Sequence, residues 1–164
     1  MTRRQHRRAQ LADRRQALKA AAFCLLAALA PATPARSEGP LVEVWKSPTC
    51  GCCKDWIAHL DANGFRTQVH DSGNTAMRGR LGIDIKYGSC HTARVDGYAI
   101  EGHVPAADIR RLLKERPKAI GLAVPGMPVG SPGMDGPGYN GRKDPYDVLL
   151  IATDGKASVF QPHR

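Results

Sequence analysis

A strand–helix–strand pattern in the first half of the sequence constrains the fold more than any other feature. Residues 41–47 (LVEVWKS) alternate between apolar and polar side chains, which predicts a strand. Residues 53–63 repeat apolar side chains at helical spacing, and Asn63-Gly64 is a helix stop. Residues 65–71 (FRTQVHD) predict a second strand. Because a helix joins these strands, we expect them to lie parallel in one sheet.

The segment that follows predicts the rest of an α/β domain. Residues 89–105 (SCHTARVDGYAIEGHVP) contain two apolar runs around Asp96-Gly97, a dipeptide that favours a tight hairpin turn. Residues 106–117 (AADIRRLLKERP) form an amphipathic helical pattern that ends at a proline. A glycine-rich, weakly helical segment precedes the hairpin, so the order is β-α-β-(α)-β-β-α. This is the order of a thioredoxin-like domain, and we predict that fold, with helices flanking a mixed sheet.

Two further segments complete the chain. Residues 125–145 contain five prolines and six glycines, which argues against regular structure and predicts a long loop. Residues 146–161 predict a terminal hairpin that turns at Asp154-Gly155. A disordered linker normally leads to another domain, whereas this loop leads back into a strand. We therefore expect the loop to lie on the surface of the same domain.

Residues 1–36 have the composition of a cleaved export signal. Seven basic residues precede an apolar run at residues 20–30, and APATPA after the run offers small-residue cleavage sites. The apolar run is too short for a membrane-spanning helix, which takes about 20 residues. DRRQALK (residues 13–19) resembles a twin-arginine motif, and an ordinary Sec signal fits the pattern equally well. We expect the segment to be removed on export to the periplasm, leaving no permanent membrane anchor.

Most of the positive charge belongs to this predicted signal. Residues 1–36 carry a net charge of +7, whereas residues 37–164 carry only +2. The remaining chain has no basic stripe with interleaved aromatic residues, which argues against a nucleic-acid partner. Its 128 residues fit one domain that buries its own core.

Four cysteines remain in residues 37–164: Cys50, Cys52, Cys53 and Cys90. In an oxidising compartment, four cysteines are compatible with two disulfides. The spacing argues against that pairing, because adjacent Cys52 and Cys53 cannot both reach the other two without strain. A disulfide between neighbouring residues is itself strained.

Cys50 and Cys53 stand where the first predicted strand meets the helix, the place at which a thioredoxin-like domain carries its C-x-x-C pair. Unpaired backbone N–H groups and the helix dipole favour a thiolate there. Cys52 adds a third thiol, which would interfere with simple dithiol exchange by forming wrong disulfides. Thiolates are also soft ligands for Cu(I), Zn(II) and iron–sulfur centres. Three clustered sulfurs therefore favour a metal site over a simple redox pair.

Cys90 and His91 precede the third predicted strand, whose start lies beside the C-x-x-C pair in a thioredoxin-like fold. A lone Cys90 would be interpreted as a small buried apolar residue. Next to three other sulfurs it is predicted to be a fourth ligand, because a soft-metal site usually has four donors. His91 adds an imidazole nitrogen, and His103 at the end of the fourth strand is a further candidate. The other histidines are interpreted as structural or exposed: His59, His70 and His163.

Met127 and Met134 lie in PGMPVGSPGM, within the predicted loop. A methionine usually fills a gap in a core, but this loop is too poor in apolar residues to form one. A thioether is a soft ligand suited to copper, so both methionines are candidate ligands. The alternative is that the loop is simply mobile.

Three motifs occur together in this sequence: C-x-C-C at residues 50–53, S-C-H-T at 89–92 and G-M-P-x-G-S-P-G-M at 126–134. With YDVLLIATDGKASVFQ (residues 146–161), they resemble the CopG-like family of exported bacterial copper-resistance proteins. The similarity covers nearly all of residues 41–161, and the combination of motifs is specific.

The resemblance implies a thioredoxin-like periplasmic domain that binds copper, with a cysteine-bridged multinuclear Cu(I) centre. Members of the family are associated with copper detoxification and with interconversion of Cu(I) and Cu(II). By motif position, the implied ligands and helper residues are Cys50, Cys52, Cys53, Cys90, His91, His103, Met127 and Met134.

We therefore predict a periplasmic copper-binding protein of copper resistance. Its expected partners are copper ions and other periplasmic copper-handling proteins. A thiol–disulfide oxidoreductase that uses Cys50 and Cys53 is the first alternative. A structural zinc site is the second, and it is disfavoured because adjacent Cys52 and Cys53 are awkward ligands for one tetrahedral ion.

Overall fold

Residues 39–164, the part of the chain that the computed structural model describes, form an α/β arrangement around a mixed seven-stranded sheet. The strands are β1 (Leu41–Lys46), β2 (Arg66–His70), β3 (His91–Val95), β4 (Tyr98–Glu101), β5 (Ala119–Ala123), β6 (Tyr146–Ala152) and β7 (Ala157–His163). The helices are α1 (Gly51–Ala62), α2 (Thr75–Arg80) and α3 (Ala106–Glu115). The predicted export signal lies outside the described residues.

The sheet has the order β2-β1-β3-β4-β5-β6-β7. β1 and β2 are connected by α1 and pair directly with each other in parallel, as the strand–helix–strand pattern predicts. β3 runs antiparallel to both β1 and β4. β4 and β5 are parallel, and β5, β6 and β7 continue antiparallel. The predicted mixed sheet is therefore confirmed.

Both predicted hairpins are present. Asp96 and Gly97 join β3 to β4 with φ values of 48° and 87°, so both residues are in the left-handed region that a two-residue turn requires. β6 and β7 are joined through Asp154-Gly155, and Gly155 has a φ of 79°. Each turn supplies the backbone twist that lets the flanking strands pair.

The main core lies between the sheet and helices α1 and α3. Trp56 and Leu60 from α1, with Ile109 and Leu112 from α3, are fully buried in one cluster with residues from β1, β3, β4 and β5. Burial of each such side chain contributes roughly 1.5–3 kcal/mol relative to exposure. Trp56 also donates a hydrogen bond from Nε1 to the carbonyl oxygen of Val104, at 2.8 Å. This contact holds α1 against the segment that leads into α3.

Three features of the fold were not predicted. Strand β5 forms from AIGLA, which has no alternation of polar and apolar side chains. It lies between β4 and β6, and its last three residues are buried, so no position in it has to be polar. A 3₁₀ turn forms at Ile85–Tyr87, and another at Pro137–Tyr139, inside the loop for which no regular structure was expected.

Within residues 39–164, no helix has the length and apolar character needed to cross a membrane.

Candidate metal centre

The cysteine-bearing turn connects β1 to α1. The amide of Cys50 donates to the carbonyl oxygen of Ser47 at 3.1 Å, which closes the turn. Cys50 is the N-cap residue of α1, and the helix begins at Gly51. The first cysteine thus stands at the positive end of the helix dipole, and Cys52 and Cys53 lie in the first helical turn.

Strand pairing brings the fourth cysteine to the same place. β1 and β3 are antiparallel, and Lys46, the last residue of β1, pairs with His91, the first residue of β3. The residue before β3 is therefore next to the turn that follows β1. That residue is Cys90.

The four sulfur atoms form a close group, which we call the sulfur quartet: the Sγ atoms of Cys50, Cys52, Cys53 and Cys90. They all lie within 4.8 Å of one another. Cys52 Sγ is 3.6 Å from Cys50 Sγ and 3.7 Å from Cys90 Sγ. Cys90 Sγ is 3.6 Å from Cys53 Sγ. The predicted convergence of four sulfurs at one end of the sheet is therefore present.

Two of these sulfurs are joined. Cys50 and Cys53 form a disulfide, whereas Cys52 and Cys90 are free thiols. Cys53 is fully buried, and the other three cysteines are partly exposed. The C-x-x-C pair is therefore oxidised beside a third cysteine, whereas three clustered sulfurs were expected to favour a metal site over a simple redox pair.

Two histidines extend the donor set around Cys90. His103 Nε2 lies 3.2 Å from Cys90 Sγ, and His91 Nδ1 lies 3.4 Å from it. Both imidazoles are fully buried, and with Cys90 they form a second group whose donor atoms lie within 4.8 Å of one another. Cys90 therefore belongs to both groups.

The orientation of His103 is fixed by a backbone carbonyl. Its Nδ1 lies 2.8 Å from the carbonyl oxygen of Pro132, which can only accept a hydrogen bond. The ring hydrogen is therefore on Nδ1, and the lone pair of Nε2 faces Cys90. Metal-binding histidines in proteins commonly donate their other N–H to a carbonyl in this way.

His91 has a buried nitrogen without a hydrogen-bond partner. Among the described residues, His91 Nε2 and His70 Nε2 are the buried side-chain nitrogen or oxygen atoms that lack one. The imidazole of His91 packs on Trp56, with ring centroids 4.3 Å apart. An unpaired buried nitrogen costs about 1–3 kcal/mol, which a metal or proton donor would offset.

Burial keeps these groups uncharged. Burial, together with the neighbouring Cys52, raises the pKa of the Cys90 thiol to about 12. Burial, together with His103, lowers the pKa of His91 to about 3, and burial also lowers the pKa of His103. At neutral pH the uncharged imidazoles have lone pairs that can bind a metal ion, whereas metal binding at Cys90 must displace the thiol proton.

The loop of residues 125–145 packs against the cysteines at several points. A Cβ atom on Gly133 would lie 2.6 Å from the carbonyl oxygen of Cys52 and 2.7 Å from the amide nitrogen of Trp56. Gly126 accepts a hydrogen bond from the Ser89 hydroxyl. The Pro132 carbonyl binds His103, as described above. The loop is therefore held on both the helical side and the β3 side of the sulfur quartet.

The two loop methionines have different surroundings. Met127 is half exposed and lines, with Cys90, a cavity of about 400 Å³. Met134 is buried, and its Sδ accepts a hydrogen bond from the Tyr139 hydroxyl at 3.4 Å. Met127 thus reaches the surroundings of Cys90, while Met134 makes a polar contact within the loop itself.

The remaining histidines of residues 39–164 do not join the donor groups. His59, which was interpreted as exposed, is half-buried and accepts a hydrogen bond from the amide of Ala106 at 3.1 Å. That interpretation is wrong because the start of α3 lies against this face of α1. His70 stacks on Trp45, and His163 binds Asp108 at 2.9 Å, which agrees with structural roles for both.

A buried ion pair beside Cys90 was missed by the sequence analysis. Arg78 Nε binds Glu101 Oε1 at 2.8 Å, and the Glu101 side chain is fully buried. Glu101 also accepts hydrogen bonds from the amide of Ser89 at 2.7 Å and from the Thr92 hydroxyl at 2.6 Å. Burial raises the pKa of Glu101, and its hydrogen-bond donors oppose that rise. The sequence signal for this buried pair was a glutamate in the otherwise apolar strand β4.

The fold and the site define the class: an α/β domain in which cysteine and histidine side chains form a candidate site for a soft metal. Two solved structures of copper resistance protein CopG are similar to this chain, each with a TM-score of 0.71. One is 47% identical and the other 48%, and each comparison covers 77% of this chain and 98–100% of the other. The chain belongs to the family of CopG copper resistance proteins.

Two further comparisons say less about function. A family profile described as a protein of unknown function, DUF411, matches residues 87–134. Those residues include Cys90, both buried histidines of the site and both loop methionines. Among curated proteins, none matches the chain significantly.

Proposed function

We propose that this protein binds Cu(I) in the periplasm as part of copper resistance. The observation that carries the proposal is the sulfur quartet, whose four Sγ atoms lie within 4.8 Å of one another. Its membership of a copper resistance family supports the choice of metal. Copper is the protein's cargo in this proposal.

The chemistry of the donors fits copper in its monovalent state. Both candidate groups consist of cysteine and histidine alone. Thiolate and imidazole are soft or borderline ligands, which favour Cu(I) over harder ions that prefer oxygen. A sulfur can bridge two ions, so four sulfurs this close are compatible with a multinuclear centre. Zinc remains a less favoured occupant, because Cys52 and Cys53 are adjacent in the chain.

We assign the sulfur quartet as the ligand set, with His91 and His103 as nitrogen donors. Their burial supports the assignment, since both are inside the molecule beside Cys90. We retain Met127 and Met134 as helper residues. Met127 lines the cavity that contains Cys90, which supports it more directly than the contact of Met134 with Tyr139. In this proposal the loop limits the access of water to the metal.

The proposed site needs its cysteines as thiolates. The Cys50–Cys53 disulfide must be reduced before all four sulfurs can bind metal. Protons compete with copper for the thiols, so affinity falls as pH falls. Copper binding and disulfide formation are therefore competing states of the same four cysteines.

We also infer that the fold is thioredoxin-like and that the protein is exported. Strands β1 to β4, with α1 after β1 and α3 after β4, follow the thioredoxin order, and the sheet order β2-β1-β3-β4 agrees with it. In this proposal residues 1–36 are the removed signal and residues 37–164 are one metal-binding domain. The basic and apolar segments of residues 1–36 support export.

A second candidate function is thiol–disulfide exchange by Cys50 and Cys53. The disulfide between them favours this candidate, as does the position of Cys50 at the start of α1. An interconversion of Cu(I) and Cu(II) at the site would link the two functions, because both use the same thiols.

Changing Cys52→Ser separates the two functions. Copper binding should weaken by more than the roughly 10- to 100-fold that loss of an outer-shell partner causes, because a ligand is lost. Reduction of a model disulfide by Cys50 and Cys53 should persist. Thr49→Ala is the matched control, since it alters the same turn without removing a sulfur.

The measurement is anaerobic competition with a Cu(I) chelator, with a disulfide-reduction assay on the same preparations. Unchanged copper affinity in the Cys52→Ser variant would contradict the proposed ligand set. Unchanged copper affinity together with persistent disulfide reduction would favour the second candidate over the first.

A further inference from the structure

A cavity beside Cys90 leads from the surface to the candidate metal centre. It has a volume of about 400 Å³, and its lining includes Cys90, Ile85, Gly88, Ser89, Gly126 and Met127. We call it the Cys90 cavity. Its volume lies within the range of about 300–1,000 Å³ that is usual for small-molecule sites. A small molecule can therefore enter it, whereas a folded protein domain cannot.

Exposure falls from the opening of the cavity towards its interior. Ile85 is 73% exposed and Met127 is 51% exposed, so both side chains stand at the opening. Cys90 is only partly exposed, and Arg78, which also lines the cavity, is buried. The cavity thus connects the solvent with the Cys90 thiol.

Hydrogen bonds hold the opening in place. The amide of Gly126 donates to the carbonyl oxygen of Gly88 at 3.0 Å, and the hydroxyl of Ser89 donates to the carbonyl oxygen of Gly126. These bonds join the loop that carries Met127 to the start of β3. On the other side, the Asp84 carboxylate caps the 3₁₀ turn at Ile85–Tyr87. The opening is therefore preformed.

The side chains along the cavity suit a soft metal ion. The exposed Met127 thioether is a soft ligand, and the less exposed Cys90 offers a second sulfur. Cys90 belongs both to the sulfur quartet and to the group that it forms with His91 and His103. Both histidines are fully buried, so Cys90 is the member through which that second group reaches the surface.

We propose that the Cys90 cavity is the route by which Cu(I), carried by a small ligand, reaches the metal centre. Met127 is the first residue to contact the ion, and Ile85 limits the size of the complex that enters. The bond between copper and its carrier breaks, a bond to the Cys90 sulfur forms, and the thiol proton leaves to the solvent. Copper stays monovalent, so the transfer needs no oxidant or reductant. This inference rests on the proposed copper function and adds the class of carrier, a small-molecule complex.

Alkylation of the metal-free chain tests access to Cys90 without copper. Cys50 and Cys53 are joined in the oxidised chain, and the free thiols in the described part of the chain are Cys52 and Cys90. Cys52 does not line the cavity, so it serves as the internal reference. The chain is treated briefly with a limiting amount of iodoacetamide at a fixed pH. Trypsin then places the two thiols on separate peptides, residues 47–54 and residues 87–94.

The ratio of the Cys90 rate to the Cys52 rate should fall in Ile85→Trp, because the indole narrows the opening. We expect a decrease on the order of tenfold, which corresponds to about 1.4 kcal/mol of added barrier. Met127→Trp should lower the ratio in the same way from the side of the loop. Val159→Trp is the matched control, because Val159 is also an exposed apolar residue but lies on β7, outside the lining of the cavity.

Copper uptake is measured with the reduced chain and the Cu(I)–acetonitrile complex as the small carrier. Ile85→Trp should take up copper more slowly than the wild-type chain but reach the same affinity in competition with a chelator, since Ile85 is not a ligand. Met127→Leu keeps an apolar side chain and removes the thioether, so it should also slow the uptake. Met77→Leu is its control, because Met77 does not line the cavity.

A ratio of Cys90 to Cys52 alkylation that stays unchanged in both tryptophan variants, with folding confirmed by circular dichroism, would overturn the cavity as the route to Cys90. Slower alkylation of Cys90 with copper uptake at the wild-type rate would overturn it as the route for copper. A wild-type chain that binds no Cu(I) would overturn the proposed function and, with it, the copper step of this inference. The alkylation ratios contain no copper, so they distinguish the two failures.

Discussion

The buried pair of Arg78 and Glu101 gives a prediction whose size follows from its geometry. The Glu101 side chain is fully buried and the Arg78 side chain is only 8% exposed, so neither charge is well solvated. Changing Glu101→Leu leaves the Arg78 guanidinium buried without its partner, which costs about 3–5 kcal/mol. The amide of Ser89 and the hydroxyl of Thr92 also lose their acceptor.

Urea unfolding of the metal-free protein, with the disulfide state held constant, measures this cost. With m-values of about 1–3 kcal/mol/M, a loss of about 4 kcal/mol lowers the urea midpoint by roughly 1.3–4 M. The double variant Arg78→Met/Glu101→Leu should regain much of the loss, because it removes both charges. Glu43→Ala, which breaks the more exposed pair of Glu43 with Arg94, is the control and should cost less than about 1 kcal/mol.

The same pair should affect the metal site. Arg78 and Glu101 bind the carbonyl oxygen and the amide of Ser89, the residue before Cys90. Glu101→Leu should therefore weaken copper retention even under conditions in which the variant is folded. A Glu101→Leu variant that is destabilised by less than 1 kcal/mol, or a double variant that loses the sum of both single changes, would refute the reasoning.

Three further predictions concern the imidazole and the loop around the quartet. His91 has a pKa of about 3 in the folded protein against 6.5 as its ordinary value, so the unfolded chain binds its proton first as pH falls. The metal-free protein should lose stability between pH 6.5 and about 3, and an equal loss in His91→Gln would contradict the assignment of that loss to His91. Gly133→Ala, at a φ of 83° and against the backbone of α1, should release the loop and speed its proteolysis, whereas Gly136→Ala in open space should not. Changing both Met127 and Met134 to Ala should weaken Cu(I) retention without unfolding the domain, and unchanged retention would remove them from the site.

The parts of the fold that were predictable have strong local signals. The strand–helix–strand unit could be recognised from its periodicity and its Asn-Gly stop, and the hairpins from two Asp-Gly turns. β5 could not be recognised, because AIGLA has no alternation and its pairing partners β4 and β6 are remote in sequence. The 3₁₀ turn at Pro137–Tyr139 depends on a single turn of backbone inside a proline-rich segment, which leaves no periodic signal.

The candidate site divides in the same way. The proximity of the four cysteines could be predicted from the sequence, because the start of the third strand lies beside the first strand–helix junction in the predicted topology. The hydrogen bond from His103 to the Pro132 carbonyl and the ion pair of Arg78 with Glu101 join residues 29 and 23 positions apart. Such contacts depend on how loops pack, which spacing along the chain does not reveal.

The central claim is that the sulfurs of the intact quartet coordinate copper, and the most direct test of it is to determine the ligands of bound copper. The chain is purified without oxygen, loaded with Cu(I), and examined by metal analysis together with X-ray absorption at the copper edge. We predict bound Cu(I) with a first shell dominated by sulfur, and loss of that shell when the four cysteines are alkylated before loading. Copper that binds equally well after alkylation, or a first shell without sulfur, would contradict the account.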